Sequence, residues 1–239
     1  MKYTFNSKIR FSEVDSSGQL SVPGLVNYFQ DCATFQSEHL GLGIGYLREK
    51  GQAWILASWQ IVIDRMPRLC ENVTAATWAY DFKAFFGMRN FTLTDEDRRV
   101  CAWTNSAWVL FDMIRQRPVR VPDEEARAYE AEPPYPVTFA ARKIRPSETQ
   151  GEVLDRVTVG KTHLDTNSHV NNGQYIAMAA DFIPDGMRIR QIRAEYRKQA
   201  HLGDVITVRR ILLEDGCCIC LEQDAKHPYA VVAITSQDG

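Results

Sequence analysis

The sequence has no long hydrophobic run and no large excess of either charge, and its first residues do not predict a secretory leader. No stretch of about 18 consecutive apolar residues occurs, so we expect no membrane-spanning helix. The first ten residues, M-K-Y-T-F-N-S-K-I-R, contain neither an apolar segment nor a small-residue cleavage site, so no signal peptide is expected. A formal net charge of −2 gives no general attraction to nucleic acid or to anionic membranes.

The sequence is also poor in the cysteine patterns that mark disulfide or zinc proteins. In a chain of 239 residues for which no secretory leader is expected, the six cysteines do not indicate a disulfide framework. The C-C-I-C cluster lacks a second ligand pair at zinc-site spacing, and it is more typical of a strand beside a turn. We therefore expect no metal site and a reducing, cytoplasmic location. The cysteines lie at positions 32, 70, 101, 217, 218 and 220.

The first half of the chain predicts one strand, one helix and then several strands. Residues 8–14 are the first strand candidate, followed by a D-S-S-G turn. Ser21 is a favourable N-cap, and apolar residues at three- and four-residue spacing predict a helix that runs to about Leu40, where G-L-G-I-G breaks the pattern. Short turns between the later strand candidates indicate an antiparallel sheet. Those candidates are residues 55–63, 73–82, 89–94 and 100–111.

The second half repeats this order after a linker. Six of the ten prolines and a D-E-E run fall in residues 117–150, which we interpret as a linker with a short helix near 124–129. The linker separates a domain at 1–116 from a domain at 151–239. A period of about 150 residues indicates a domain duplication rather than a solenoid. Strand candidates in the second half are residues 152–162, 189–198, 205–213, 217–223 and 229–235, with a helix after the first that Pro184 ends.

The sequence L-D-T-N-S-H-V-N-N-G-Q-Y, residues 164–175, concentrates reactive side chains ahead of the second helix. Asp165, Asn167 and His169 alternate, so in an extended backbone they project from one side. His169 is a candidate general base, and Asp165 would orient that base or the water, or attack as a nucleophile. The Asn167 amide and the first N–H groups of the helix are candidate oxyanion donors. The first half keeps the aspartate at the equivalent place but lacks the histidine and the asparagines.

A structural alternative exists for the same motif. Asn171 or Asn172 would cap the helix, and His169 would be an ordinary turn residue. The histidines at positions 39, 163, 201 and 227 are expected to be structural, and among them only His163 lies near the motif.

The motif D-x-N-x-H-V-N-N-x-x-Y resembles that of the acyl-ACP thioesterase family, where ACP is acyl carrier protein. W-I-L-A-S-W-Q-I-V-I-D-R-M-P and S-A-W-V-L-F-D-M-I-R in the first half are also similar to that family. The resemblance implies an α+β tandem double hotdog fold, in which each half is an antiparallel sheet wrapped around a long helix. It implies hydrolysis of fatty acyl-ACP to free fatty acid and ACP, ending fatty acid synthesis, without a metal or cofactor.

In that family the Asp, Asn and His of the motif are catalytic, which implies catalytic roles for Asp165, Asn167 and His169. Family members often continue with E-Y-R-x-E-C on the next strand, where the second Glu is assigned a catalytic role. Here those last two positions are Gln199 and Ala200. Gln199 is therefore the fourth candidate catalytic residue; it can orient a water or a carbonyl but cannot accept a proton. No cysteine lies near the motif, so a cysteine nucleophile is not expected.

The resemblance also implies how substrate and partner bind. In the family the first domain lines an acyl tunnel, so Val26, Phe29 and Ala33 are candidate acyl-chain contacts, with Asn171 as a substrate-binding candidate in the second half. The implied partner is an acidic acyl carrier protein, for which basic residues would matter. We expect neither nucleic acid nor membrane as a partner, and a homodimer is open. Basic candidates are Arg115, Arg117, Arg120, Arg142, Lys143, Arg193, Arg197 and Lys198.

The motif leaves two rival hypotheses open and argues against a third. An acyl-CoA thioesterase would use the same motif with another carrier. A hotdog dehydratase needs a different arrangement of His and acid, which D-x-N-x-H does not supply. A catalytically weak acyl-binding protein would explain the glutamine at position 199.

Overall fold

The chain forms two compact units. The computed structural model describes residues 1–146, 151–224 and 227–237. Unit 1 comprises Met1–Ala57 and Ile63–Ala140, and unit 2 comprises Ser58–Val62 and Ala141–Gly239.

The predicted linker is divided by these boundaries. Its residues 117–140 belong to unit 1, where they add a two-residue strand and a short helix. Residues 147–150 of the predicted linker lie outside the described residues, as do two residues of the predicted turn at 224–228.

Unit 1 is an antiparallel sheet with one long helix. The strands follow the order β1-β3-β4-β5-β2, and β6 pairs with β5. The β1–β3, β3–β4, β4–β5 and β5–β6 pairs are antiparallel, as expected for strands joined by short turns. In chain order the elements are β1 (Tyr3–Lys8), α1 (Val22–His39), α2 (Ile44–Glu49), β2 (Gln52–Ile63), β3 (Asn72–Lys83), β4 (Phe86–Thr94), β5 (Val100–Asp112), β6 (Arg117–Pro118) and α3 (Asp123–Ala128).

Helix α1 forms where the sequence predicts it. The Ser21 side chain accepts the N–H of Gly24 at 3.1 Å, which satisfies one of the free donors of the first turn. The helix packs against β1 and β3 with its apolar face. The buried apolar side chains on that face recur at three- and four-residue spacing: Leu25, Val26, Phe29, Cys32 and Ala33.

Unit 2 has the same plan with a shorter helix. Its strands follow the order β8-β11-β10-β9-β7, all antiparallel, and Ser58–Val62 of β2 pairs with β8. Helix α4 packs against β10 and β11. The elements are β7 (Glu152–Thr158), α4 (Asn172–Ala180), β8 (Ile189–Tyr196), β9 (Val205–Leu213), β10 (Gly216–Asp224) and β11 (His227–Ser236).

Two predicted elements at the start of the chain differ from the structure. The first strand is Tyr3–Lys8 rather than residues 8–14, and Phe11–Glu13 form a 3-10 turn instead. The G-L-G-I-G segment does not only end α1. Gly43 is the N-cap of the short helix α2, and the Glu38 carboxylate accepts the N–H of Ile44 at 2.8 Å.

The helix of unit 2 is short, although a long helix was expected in each half. Helix α4 has nine residues, against 18 in α1. The N–H groups of Phe182 and Ile183 donate to carbonyls three residues back instead of four. This tighter 3-10 pattern ends the α-helix. Pro184 follows directly and lacks the N–H that a continuing helix would need.

All six cysteines are free thiols; Cys70 is exposed and the other five are buried. Cys218 and Cys220 of β10 belong to a core cluster of unit 2 with Ile144, Ile211 and Val231. Among the helices of the described residues, none combines the length and the apolar composition that a membrane crossing requires.

Candidate active site

The motif residues lie in a tight loop between a 3-10 turn, Lys161–His163, and helix α4. We call residues 165–171 the motif loop. The N–H of Asp165 donates to the His169 carbonyl at 2.8 Å, and the N–H of Ser168 donates to the Asp165 carbonyl at 3.1 Å. The N–H of Asn171 donates to the His163 carbonyl at 2.9 Å. The backbone is therefore fixed by its own hydrogen bonds before any side chain is considered.

Asp165 uses one carboxylate oxygen to hold this loop. Its Oδ1 accepts the N–H of Asn167 at 2.8 Å and the N–H of His169 at 3.3 Å. Its Oδ2 makes no hydrogen bond to any residue that the structure describes. One oxygen is thus structural, and the other is open to a water or a substrate.

His169 is half-buried, and its two ring nitrogens have different surroundings. Nδ1 is buried without a hydrogen-bond partner among the described residues, whereas Nε2 is not enclosed in this way. Burial lowers the pKa of His169 below the ordinary value of 6.5, the nearby His201 lowers it further, and Asp165 opposes both. The neutral imidazole, which a general base requires, is therefore favoured at neutral pH.

Asn167 is exposed, and its side-chain amide makes no hydrogen bond within the described residues. Asn171 has a different task, because its side chain accepts the N–H of Gly173 at 2.8 Å and caps α4. The predicted capping role of Asn171 is confirmed; its contact with substrate stays a prediction.

Few backbone donors near the loop are free to bind an oxyanion. The N–H groups of residues 167–171 all have acceptors: the carboxylate and the carbonyl of Asp165, and the carbonyls of Ala200 and His163. The first turn of α4 retains the N–H of Asn172, which donates to no described residue. Of the donors predicted from the sequence, the Asn167 amide and the Asn172 N–H are therefore the ones without an acceptor among the described residues.

The segment 199–201 is joined to the motif loop through the backbone. The N–H of Val170 donates to the Ala200 carbonyl at 3.0 Å, and the N–H of Ala200 donates to the Tyr175 hydroxyl at 2.9 Å. Gln199 is half-buried, and its amide makes no hydrogen bond with a described residue. The structure thus brings Gln199 beside the loop without a direct bond to it.

The histidine that joins the site is His201 rather than His163. The rings of His169 and His201 lie edge to face, with centroids 4.8 Å apart and an interplanar angle of 67°. His163 instead uses Nδ1 to accept the N–H of Gly160 at 3.0 Å, which is a structural role. The only sequence signal for His201 was its place two residues after Gln199 on a segment already expected at the site.

The predicted acyl-chain contacts lie in unit 1. Val26 and Phe29 are fully buried and Ala33 is nearly so, and the rings of Phe29 and Phe91 are 5.5 Å apart. They form part of the core of that unit. Their contact with an acyl chain stays a prediction.

Several of the basic candidates have internal partners in unit 2, among them Lys198, which donates to the Gln223 side chain. Arg193 donates to the carbonyls of Ala141 and Lys143, and Arg197 donates to the Ile144 carbonyl and to the Glu195 carboxylate. These two arginines tether the segment that enters unit 2. Within the described part of the chain, no group of three or more His, Cys, Asp or Glu side chains is placed to hold a metal ion.

Comparison with known proteins identifies relatives along almost the whole chain. A family model described as the acyl-ACP thioesterase N-terminal domain matches residues 1–129, and one described as the C-terminal domain matches residues 147–232. The palmitoyl-acyl carrier protein thioesterase of Arabidopsis thaliana, a chloroplastic protein, is 25% identical over 90% of this chain and 55% of its own length. The dodecanoyl-[acyl-carrier-protein] hydrolase of Umbellularia californica is 23% identical over 83% of this chain and 56% of its own length. The chain thus spans about half the length of these curated relatives.

Solved structures show the same fold. An acyl-ACP thioesterase from Bacteroides thetaiotaomicron has a TM-score of 0.87 at 23% identity, with 98% of this chain and 97% of that chain covered. The 12:0-ACP thioesterase from Umbellularia californica has a TM-score of 0.87 at 18% identity, with 98% and 96% covered. These likenesses confirm the predicted α+β tandem double hotdog fold.

Proposed function

The chain belongs to the acyl-ACP thioesterase family, and on that premise we propose that it hydrolyses fatty acyl-ACP to free fatty acid and ACP. One observation carries the proposal. The motif loop combines a half-buried histidine of lowered pKa with an asparagine amide that no described residue occupies. A base and an unoccupied donor within three residues of each other fit the needs of thioester hydrolysis.

In the proposed mechanism, His169 removes a proton from a water molecule, which attacks the thioester carbonyl carbon. The Asn167 amide and the Asn172 N–H stabilise the negative charge that develops on the carbonyl oxygen. Collapse of the tetrahedral intermediate breaks the C–S bond. The proton held by His169 then passes to the departing thiolate of the carrier, so the base returns to its neutral form.

Asp165 and Gln199 support this chemistry in different ways. Asp165 holds the loop through Oδ1, and its Oδ2 is available to orient the attacking water. Gln199 can donate to or accept from a water or the thioester carbonyl, but it takes no proton. Of the two routes that the sequence leaves open, we favour His169 as general base over Asp165 as nucleophile, because one of the Asp165 oxygens is already used in the loop.

We propose that the acyl chain binds in unit 1, where it contacts Val26, Phe29 and Ala33. We also propose that Asn171, at the N-terminus of α4, contributes to substrate binding. The proposed partner is acyl carrier protein, which is the carrier in the names of the plant relatives. A cytoplasmic location is also proposed, supported by the six free thiols. A homodimer stays an open proposal.

Incubation with acyl-ACPs of graded chain length, followed by analysis of the released acids, tests the function. We expect free fatty acid from the wild-type protein and none above background from His169→Ala. The matched acyl-CoAs are assayed in parallel. Equal or better turnover of acyl-CoA would overturn the assignment of the carrier, and acyl binding without hydrolysis would favour the non-catalytic alternative.

A further inference from the structure

His201 is fixed against His169 from two sides. The bond from the Val170 N–H to the Ala200 carbonyl joins its segment to the motif loop. On the other side, the N–H of His201 donates to Oδ2 of Asp204 at 2.9 Å. The edge-to-face contact of the two rings, at 4.8 Å between centroids, is therefore set by backbone that is anchored at both ends.

No described side chain makes a hydrogen bond to the buried nitrogen of His169. Oδ1 of Asp165 accepts hydrogen bonds from backbone N–H groups, and the Gln199 amide bonds to no described residue. Nδ1 of His169 is nevertheless buried and without a partner among those residues. An unsatisfied buried polar atom in a native structure calls for an explanation, and a catalytic site is one of the common ones.

We propose that His201 is a positioning residue for His169: its ring packs edge to face on the imidazole and holds it in one orientation. The proposal rests on the hydrolysis proposed above. It adds a residue that the motif does not contain.

The same contact bears on the pKa of His169. His169 is half-buried, and burial lowers its pKa most, because the charged imidazolium loses solvation. The neighbouring His201 lowers it further, so removal of the His201 ring should raise the pKa of His169.

The other charged or titratable groups around the pair leave this contact intact. Asp165 opposes the effect, because its negative charge favours protonated His169. The Asp204 carboxylate accepts hydrogen bonds from the Tyr229 hydroxyl, at 3.2 Å, and from the backbone N–H of His201. These bonds involve neither imidazole ring. Two further titratable side chains lie near this segment: the Tyr175 hydroxyl on α4 accepts the Ala200 N–H, and Nζ of Lys198 lies 5.4 Å from the centre of the Tyr229 ring.

The test uses His201→Gln and His201→Ala in the whole chain, with His227→Gln as the control. His227 is an exposed histidine of the same unit that pairs with Asp224 and not with the site. NMR titration of the imidazole resonances, without substrate, measures the pKa of His169. We expect both His201 variants to raise that pKa and His227→Gln to leave it unchanged.

The same variants are assayed on acyl-ACP across pH. We expect the acid limb of kcat/KM to move to higher pH in both His201 variants. We also expect His201→Ala to lower kcat by on the order of tenfold, with KM unchanged, because the His169 imidazole loses its contact with the His201 ring. His201→Gln should recover part of that loss, since its side chain still fills the space beside His169.

An unchanged pKa of His169 together with an unmoved acid limb would overturn the pairing. The NMR measurement needs no turnover. If the wild-type protein fails to hydrolyse acyl-ACP, the proposed function falls, while the titration still decides whether His201 controls His169.

Discussion

The two units contain the same loop with different side chains. In unit 1 the N–H of Asp15 donates to the Gln19 carbonyl at 2.8 Å, and the N–H of Gly18 donates to the Asp15 carbonyl at 3.0 Å. The motif loop of unit 2 has the same two bonds at 2.8 and 3.1 Å. We call residues 15–21 the unit 1 loop.

The aspartate has one task in both loops. Oδ1 of Asp15 accepts the N–H of Ser17 at 2.8 Å and the N–H of Gln19 at 3.2 Å, as Oδ1 of Asp165 does for its own neighbours. Ser21 and Asn171 then cap the helix that follows in each unit. The carboxylate therefore belongs to the shared scaffold, and the asparagine and histidine are what unit 2 adds.

The largest expected effect comes from making the motif loop resemble its counterpart. His169→Gln installs the residue type that unit 1 has at this position. We expect kcat on acyl-ACP to fall by about 10²–10⁴, the usual contribution of a general base. The matched control is Gln19→Ala, which should leave kcat unchanged. Wild-type turnover by His169→Gln would place the base elsewhere.

Asn167→Ser makes the same exchange at the proposed oxyanion donor. Ser17 of unit 1 donates its hydroxyl to Asp15 at 2.6 Å, so a serine is compatible with this loop. We expect kcat to fall by roughly 10²–10³ while the melting temperature is retained. Ser17→Ala, as the control, should affect stability but not turnover. If kcat is unchanged in Asn167→Ser, the Asn167 amide is not an oxyanion donor.

Replacement of either aspartate by alanine tests the shared scaffold. Asp15→Ala and Asp165→Ala each remove an acceptor for backbone N–H groups, and each should lower the free energy of unfolding by about 1 kcal/mol. Asp165→Asn keeps the Oδ1 acceptor and should keep most of the stability. Denaturant unfolding measures all three. The scaffold role is excluded if Asp165→Ala abolishes turnover without any loss of stability.

The smallest effect concerns a backbone difference between the loops. Ser168 has φ of 62°, where unit 1 has Gly18 with φ of 73°. A residue other than glycine costs roughly 1 kcal/mol in this left-handed region. Ser168→Gly should therefore stabilise the protein by up to about 1 kcal/mol and Gly18→Ser should destabilise it by a similar amount, as measured by thermal unfolding. Equal melting temperatures for the two variants would contradict the claim that the backbone is strained at Ser168.

The sequence predicts elements well where the signals are local. Ser21 with its apolar stripe predicts α1, and alternation with short turns predicts β2 to β5 and β8 to β11 to within a few residues. The first strand was misplaced because Lys8 to Val14 alternates as well as Tyr3 to Lys8 does. Only the pairing of β1 with β3 decides between the two.

The candidate site shows the same limit. Asp165, Asn167 and His169 are close in sequence, so a motif finds them together. His201 comes from a segment some thirty residues later, and a long-range backbone bond, from Val170 to Ala200, brings it to His169. His163 is nearer in sequence, but the 3-10 turn directs its ring to Gly160. Contacts of this kind depend on the fold and not on spacing.

The burial of five thiols gives the protein a built-in chemical reporter of unfolding. Only Cys70 is exposed, so a thiol-reactive probe should modify the folded protein at that residue first. Cys32 and Cys101 lie in unit 1, and the three thiols of β10 lie in unit 2. With Cys70 replaced by serine, mass spectrometry of the labelled peptides would time the opening of each unit separately, without any engineered label.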